Sequence, residues 1–141
     1  MGYLDKFHTL VGETIMQCQR IEFDVKVIYS AMLAGDMNEN FQSVRQLALG
    51  QIITELEILD TASKTPCFSK SDYRLLKDIR NVRNWLAHNS YMDFLYDEGT
   101  TQQENLNASY KKLVTFNSRM ASLSNQVENV RLELLKRFRR I

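Results

Sequence analysis

Apolar residues recur at intervals of three and four through nearly the whole of this chain, and very little interrupts them. Its 141 residues hold five Gly and one Pro. Those two residue types punctuate structure, and a spacing of three and four lays side chains along one stripe of an α-helix. The breaks fall in three places, at residues 35–38, at 61–71 around Pro66 and at 97–101, which leaves four segments. The first carries Leu4, Phe7, Val11, Cys18, Ile21, Val25, Ile28 and Met32 on one stripe, with Thr14 as its one polar position. The second is predicted over about 41–59, with Val44, Leu47, Ala48, Ile52, Leu56 and Leu59 in phase. Gly50 inside it reads as a site of close helix packing or a kink, because a mid-helix Gly costs about 1 kcal/mol against Ala.

The third segment takes Ser71 or Asp72 as its N-cap and runs through Leu75, Ile79, Val82 and Leu86 towards Phe94. The fourth starts near Glu104 and places Leu106, Tyr110, Leu113, Phe116, Met120, Leu123, Val127, Val130, Leu134 and Phe138 on one side. Strand-like alternation is absent. Four long amphipathic helices joined by short loops bury their stripes against one another, so the expected fold is all-α, an antiparallel four-helix bundle forming a single domain over 1–141.

Composition narrows the function. With 44% hydrophobic and 25% charged residues, the chain is neither disordered nor fibrous. Its net charge of +1 argues against a protein that grips long nucleic acid by phosphates alone, so any nucleic-acid chemistry belongs to a local site. No stretch approaches the ~20 apolar residues that span a bilayer. The N-terminus carries Asp5, Lys6 and His8 where a signal peptide has an apolar core, so the expectation is a soluble cytoplasmic protein without membrane partners. Cys18 and Cys67 form neither a CxxC pair nor a metal-ligand spacing and read as small buried or half-buried residues.

One segment stands apart from the solvated faces. Taking Arg80 as the origin at about 100° per residue, Arg83 falls near −60°, Ala87 near −20°, Tyr91 near 20°, Asn84 near 40° and His88 near 80°. Leu75, Ile79, Val82 and Leu86 centre near −130°, on another face. One helix thus offers a core stripe and, beside it, a patch of Arg, Arg, Asn, His and Tyr around a small Ala. Arginine holds a phosphate oxygen in a fork, histidine moves a proton near neutral pH, and asparagine orients either. No acidic or Cys/His cluster accompanies them, so the set would work with no metal and no other cofactor. Spacing alone supports a second reading, in which Arg80 and Arg83 pair with acidic neighbours such as Asp78 or Glu22 and His88 is an idle surface histidine.

The run Arg83-Asn84-Trp85-Leu86-Ala87-His88 resembles the R-x4-6-H signature of the HEPN superfamily, in the form with Asn directly after Arg. Its place inside the third predicted helix of a bundle this long is similar to that of the signature in HEPN domains, and the resemblance in fold covers nearly the whole chain. The resemblance implies a metal-independent endoribonuclease, in which the ribose 2′-hydroxyl attacks the adjacent phosphorus and leaves a 2′,3′-cyclic phosphate and a 5′-hydroxyl. Arg83 would stabilise the phosphorane, His88 would transfer a proton and Asn84 would position the pair, with Arg80 and Tyr91 as substrate-binding neighbours. It also implies a homodimer whose motifs form one composite cleft, and a toxin of a toxin–antitoxin or phage-defence system with a cognate antitoxin protein. A HEPN subgroup reads R-x4-H-x-Y and has that Tyr modified by its antitoxin. Here Tyr91 lies three residues after His88 rather than two, so the kind of antitoxin stays open.

Other features have plainer readings beside sharper ones. Glu22, at the edge of the first stripe, is either a local salt-bridge partner or an orienting group for Arg80 or Arg83. Trp85 is expected to pack against a helix rather than stack on a base. The basic run Arg131, Lys136, Arg137, Arg139 and Arg140 complements a helix dipole, or else tracks phosphates. The alternative to a nuclease is a non-catalytic helical module whose patch binds a partner or a second copy. A nucleotide-binding protein without hydrolysis is disfavoured by the absence of a Gly-rich phosphate loop.

Overall fold

The computed structural model describes residues 2–141 and is all-α, with no strand among them. Five helices follow one another: α1 (Tyr3–Met32), α2 (Met37–Val44), α3 (Leu49–Thr61), α4 (Lys70–His88) and α5 (Gly99–Arg137). The chain divides into two compact units, Met1–Cys18 with Ile79–Ser122, and Gln19–Asp78 with Leu123–Ile141.

The expected helix over 41–59 is two helices, and the count is therefore five. α2 stops at Val44 and α3 starts after Ala48, whose extended backbone (ψ 141°) breaks the spiral. The apolar rhythm survives this break because Val44 and Ile52 face inward on either side of it. Periodicity therefore cannot reveal the turn. Gly50 lies in the first turn of α3, and a Cβ there would meet nothing within 4 Å, so close packing is not its role.

Helix ends follow local chemistry. Asp36 caps α2, its carboxylate accepting from Glu39 N at 3.0 Å, and Gly35 supplies the preceding left-handed turn (φ 95°). α4 begins at Lys70, and its cap lies two to three residues before the expected Ser71 or Asp72. Ser69 is its cap, in a reciprocal pair: Asp72 N donates to Ser69 Oγ (3.1 Å) and Ser69 N donates to Asp72 Oδ2 (2.8 Å). α5 begins at Gly99, earlier than the Glu104 that the apolar stripe indicates, because its first turn is polar.

In the Gln19–Asp78 and Leu123–Ile141 unit, Ile21, Val25 and Ile28 of α1, Ile52, Ile53 and Leu56 of α3, Leu76 of α4 and Val127 and Leu134 of α5 are buried. Burying each such side chain contributes roughly 1.5–3 kcal/mol. Asp60, fully buried at the end of α3, accepts from Cys67 N (2.8 Å), Phe68 N (3.1 Å) and the Tyr73 hydroxyl (2.6 Å). It thereby ties the 62–69 connection and α4 to α3. The end of α1 is closed by side chains: Arg140 donates to the carbonyls of Leu33 (2.7 Å), Gly35 (2.8 Å) and Ala31 (3.3 Å), and Asn40 to those of Ser30, Leu33 and Ala34.

In the Met1–Cys18 and Ile79–Ser122 unit, Phe7 meets Tyr91 and Phe94 edge-on, each at 5.2 Å. Thr14 is buried, with its hydroxyl 2.7 Å from the Leu10 carbonyl and 3.1 Å from Asn117 Oδ1, which satisfies the one polar position in that stripe. Ile79, Val82, Trp85 and Leu86 of α4 complete this core with Leu113 and Met120 of α5.

Candidate functional site

The final turns of α4 separate cleanly into two faces. Ile79, Val82, Trp85 and Leu86 are buried, while Arg80, Asn81, Arg83, Asn84, Ala87 and His88 are exposed. That partition is the one a 3.6-residue repeat dictates when the apolar residues stand three and four apart. No Asp or Glu lies between Arg80 and His88 in the chain. Asn84 and His88 stand one turn apart on the exposed face, about 6 Å along the axis, and Arg83 lies about 7.5 Å along the axis from His88 and about 140° around it. Ala87 puts only a methyl group between them. Among the described residues the His88 imidazole and the Asn84 amide take no hydrogen bond.

Tyr91 does not share this face. α4 ends at His88, where the amides of Asn89 and Ser90 both donate to the Trp85 carbonyl (2.9 and 2.8 Å), and residues 89–96 form consecutive turns. The helical projection that set Tyr91 beside Arg80 therefore stops short of it. The Tyr91 hydroxyl instead lies 2.6 Å from His8 Nδ1, its ring stacks on that imidazole at 5.4 Å, and burial pushes its pKa up. His8, unremarkable in the sequence, has its partner 83 residues away.

The remaining polar candidates are engaged in the fold. Glu22 pairs with Lys26 one turn on (3.5 Å). Arg131 pairs with the buried Asp24 carboxylate (2.9 Å), whose pKa is raised by burial against the lowering effect of Arg131. Arg137 pairs with Glu133 (2.8 Å) and donates to the Thr65 carbonyl (3.2 Å), and Arg140 closes α1. Three of the five basic residues near the C-terminus thus hold structure together. Trp85 packs edge-on against Phe116 (5.4 Å), lies beneath the Lys112 ammonium (4.8 Å) and donates its indole N–H to Asp93 Oδ2 (3.2 Å). The residue pattern gave no sign of Asp93, because the turns that bring it beside Trp85 leave no trace in the apolar rhythm.

Cys18 is buried and Cys67 half-buried, and both are free thiols. Among the described residues no group of three or more His, Cys, Asp or Glu is placed to hold a metal ion, and no helix is long and apolar enough to cross a membrane. No family model, no curated protein and no solved structure matches the chain.

An exposed face bearing two arginines, an asparagine and an uncommitted histidine is equipped to hold a phosphate, stabilise added negative charge on it and move a proton.

Proposed function

We propose that the exposed face of α4 is the active face of a metal-independent endoribonuclease that works as a homodimer. The observation that carries this reading is the solvent-facing set Arg83, Asn84 and His88, flanked by Arg80 and free of any carboxylate between Arg80 and His88. In the proposed reaction the ribose 2′-oxygen forms a bond to phosphorus and gives up its proton. The bond from phosphorus to the 5′-oxygen breaks, and that oxygen takes a proton, leaving a 2′,3′-cyclic phosphate and a 5′-hydroxyl. His88 serves the proton transfers. Arg83 neutralises the charge that builds on the non-bridging oxygens, Asn84 orients the pair, and Arg80 adds a phosphate contact. Tyr91 stands off this face, on the turns that follow α4. Two copies meeting across Ala87 would bring two His88 side chains to one cleft, so that one accepts a proton while the other donates. The resemblance of Arg83-Asn84-x3-His88 to the HEPN signature supports the same reading, together with a role as a toxin or defence nuclease held in check by an antitoxin protein in the cytoplasm.

The test is induction of the wild type and of an Arg83→Ala/His88→Ala double variant in a bacterial host, with RNA ends mapped afterwards. Growth arrest and new 5′-hydroxyl ends with the wild type alone are expected. Purified, folded protein that leaves RNA intact at several pH values would overturn the proposal. A second reading, a non-catalytic interaction module, is favoured by one observation: Met92, Leu95 and Tyr96, directly after α4, are 58%, 46% and 77% exposed. On that reading His88→Ala alters association and has no effect on growth.

A further inference from the structure

A cavity of about 320 Å³ opens within the Met1–Cys18 and Ile79–Ser122 unit, lined by Asp93, Asn105, Ala108, Ser109 and Lys112. That volume lies at the small end of ligand sites, which span ~300–1,000 Å³. Four of its five lining residues carry polar side chains. Ser109 is the most enclosed of these residues, at 4% exposed. Asp93 and Lys112 carry opposite charges on one wall without pairing with each other: Lys112 lies over the Trp85 ring, and Asp93 accepts the Trp85 indole N–H on Oδ2. Asn105 commits its amide nitrogen to Asp97 Oδ2 (2.6 Å), which leaves its Oδ1 as an acceptor.

We propose that this cavity is a guanine subsite, holding the base of a nucleotide next to the phosphate that the α4 face addresses. The inference takes its choice of ligand from the RNA reading above. A carboxylate accepts at up to about four lone-pair sites, so Asp93 keeps capacity after its bond to Trp85. Guanine alone among the four bases sets two N–H donors, N1–H and the 2-amino group, side by side on its pairing edge, with the O6 acceptor next to them. Asp93 matches the two donors and the Lys112 ammonium matches O6. Adenine and cytosine present a ring-nitrogen acceptor where guanine presents N1–H, which opposes the carboxylate. Uracil has a single donor. Ser109 and Asn105 remain for the rim of the base or its ribose. Trp85, under the Lys112 ammonium and bonded to Asp93, follows Asn84 in the chain and precedes His88 by three residues.

Trp85 is the single tryptophan of the chain, so it reports directly on occupancy. The wild-type protein is titrated with the 5′-monophosphates of guanosine, inosine, adenosine, cytidine and uridine, by calorimetry and by Trp85 fluorescence. Guanosine monophosphate is expected to saturate at a concentration at least tenfold below the adenosine, cytidine and uridine compounds. Inosine monophosphate, which lacks the 2-amino group, should fall about tenfold behind it. Asp93→Asn keeps a carbonyl for the Trp85 N–H and should abolish the preference with an unchanged circular dichroism spectrum. Equal binding of all four common bases, binding of none, or saturation by free glycine in place of nucleotides would overturn the proposal. Mononucleotide binding needs no cleavage, so the two readings part: a protein that cuts RNA but binds every base alike loses only the guanine subsite. One that prefers guanosine monophosphate while leaving RNA intact loses only the nuclease.

Discussion

Replacing Asp60 by Ala is expected to be the most damaging polar substitution in the Gln19–Asp78 and Leu123–Ile141 unit. Its carboxylate is fully buried and accepts two backbone N–H groups and the Tyr73 hydroxyl. Without it, Phe68 N and the Tyr73 hydroxyl, both buried, lose their partner at about 1–3 kcal/mol each, while the half-buried Cys67 N recovers part of its loss from water. The sum is roughly 3–5 kcal/mol, at the upper end of single substitutions. Urea unfolding followed by far-ultraviolet circular dichroism measures it. Trp85 fluorescence alone would not serve, since that residue belongs to the other unit. Tyr73→Phe removes one donor together with its bond and should cost about 1–2 kcal/mol. The double variant should then be less destabilised than the sum of the two by about 1 kcal/mol, because the singles share one bond. A loss below about 1 kcal/mol for Asp60→Ala, or strict additivity in the cycle, would refute the claim that these three donors depend on one carboxylate.

Four further outcomes are expected. Arg131→Met leaves Asp24 buried without its cation and should cost about 3–5 kcal/mol at pH 7. Burial raises the Asp24 pKa, so its stabilising contribution is greatest below the ordinary carboxylate value and is lost as pH rises through the raised one; the variant's deficit should therefore shrink on acidification, as unfolding at pH 4 and 7 would show. Burial first, and the Asp60 carboxylate second, push the Cys67 thiol up to about 11, so alkylation should run roughly 100-fold slower at pH 8 than for a free cysteine and speed up until the pH nears that value, with mass spectrometry as the readout. Arg140→Ala strips three carbonyls at the end of α1 of a charged donor and should cost about 1–2 kcal/mol, with faster amide exchange over 33–36. His88→Ala, at an exposed helical site, should stay within about 0.5 kcal/mol of the wild type, whereas Trp85→Ala should cost about 3–5 kcal/mol in the same unfolding assay.

What the residue pattern revealed and what it concealed have physical causes. A 3.6-residue rhythm reports which side of a helix faces inward, so the stripes of α1 and α5 and the two faces of α4 were legible from Ile21, Val127 and Ile79 alone. The same rhythm is silent on a turn that preserves its phase, which is why α2 and α3 read as one helix. It is silent also on where a polar helix end gives way to turns, as at His88. Long-range polar pairing leaves no periodic trace: the His8–Tyr91 bond and the grip of Arg140 on α1 join residues more than eighty apart. Asp60 was half visible. It continues the Ile52–Leu56 rhythm, and a carboxylate in phase with a buried stripe implies donors waiting for it, though not which ones. On α4 the positions of Arg80, Arg83, Asn84 and His88 were readable, while Tyr91 was misplaced by extrapolating a helix that had ended.

The division of α4 into faces also decides how its chemistry can be tested. Residues that pack and residues that face solvent alternate along it within single turns, so a stability effect and a chemical effect can be assigned to neighbouring positions. Asn84 and His88 are exposed and hold nothing in the fold, so their removal leaves packing intact and any lost activity belongs to the chemistry. Trp85, between them in sequence, has the opposite character: it anchors Phe116 and Asp93, and its loss disturbs core and cavity together. Asp93 lies in the middle. It is exposed and bonded to the core only through the Trp85 N–H, so the swap to Asn retains that bond while altering what the cavity offers a ligand. A loss of cleavage with unchanged stability at His88, combined with a change of base preference alone at Asp93, would separate the group that moves the proton from the group that selects the substrate.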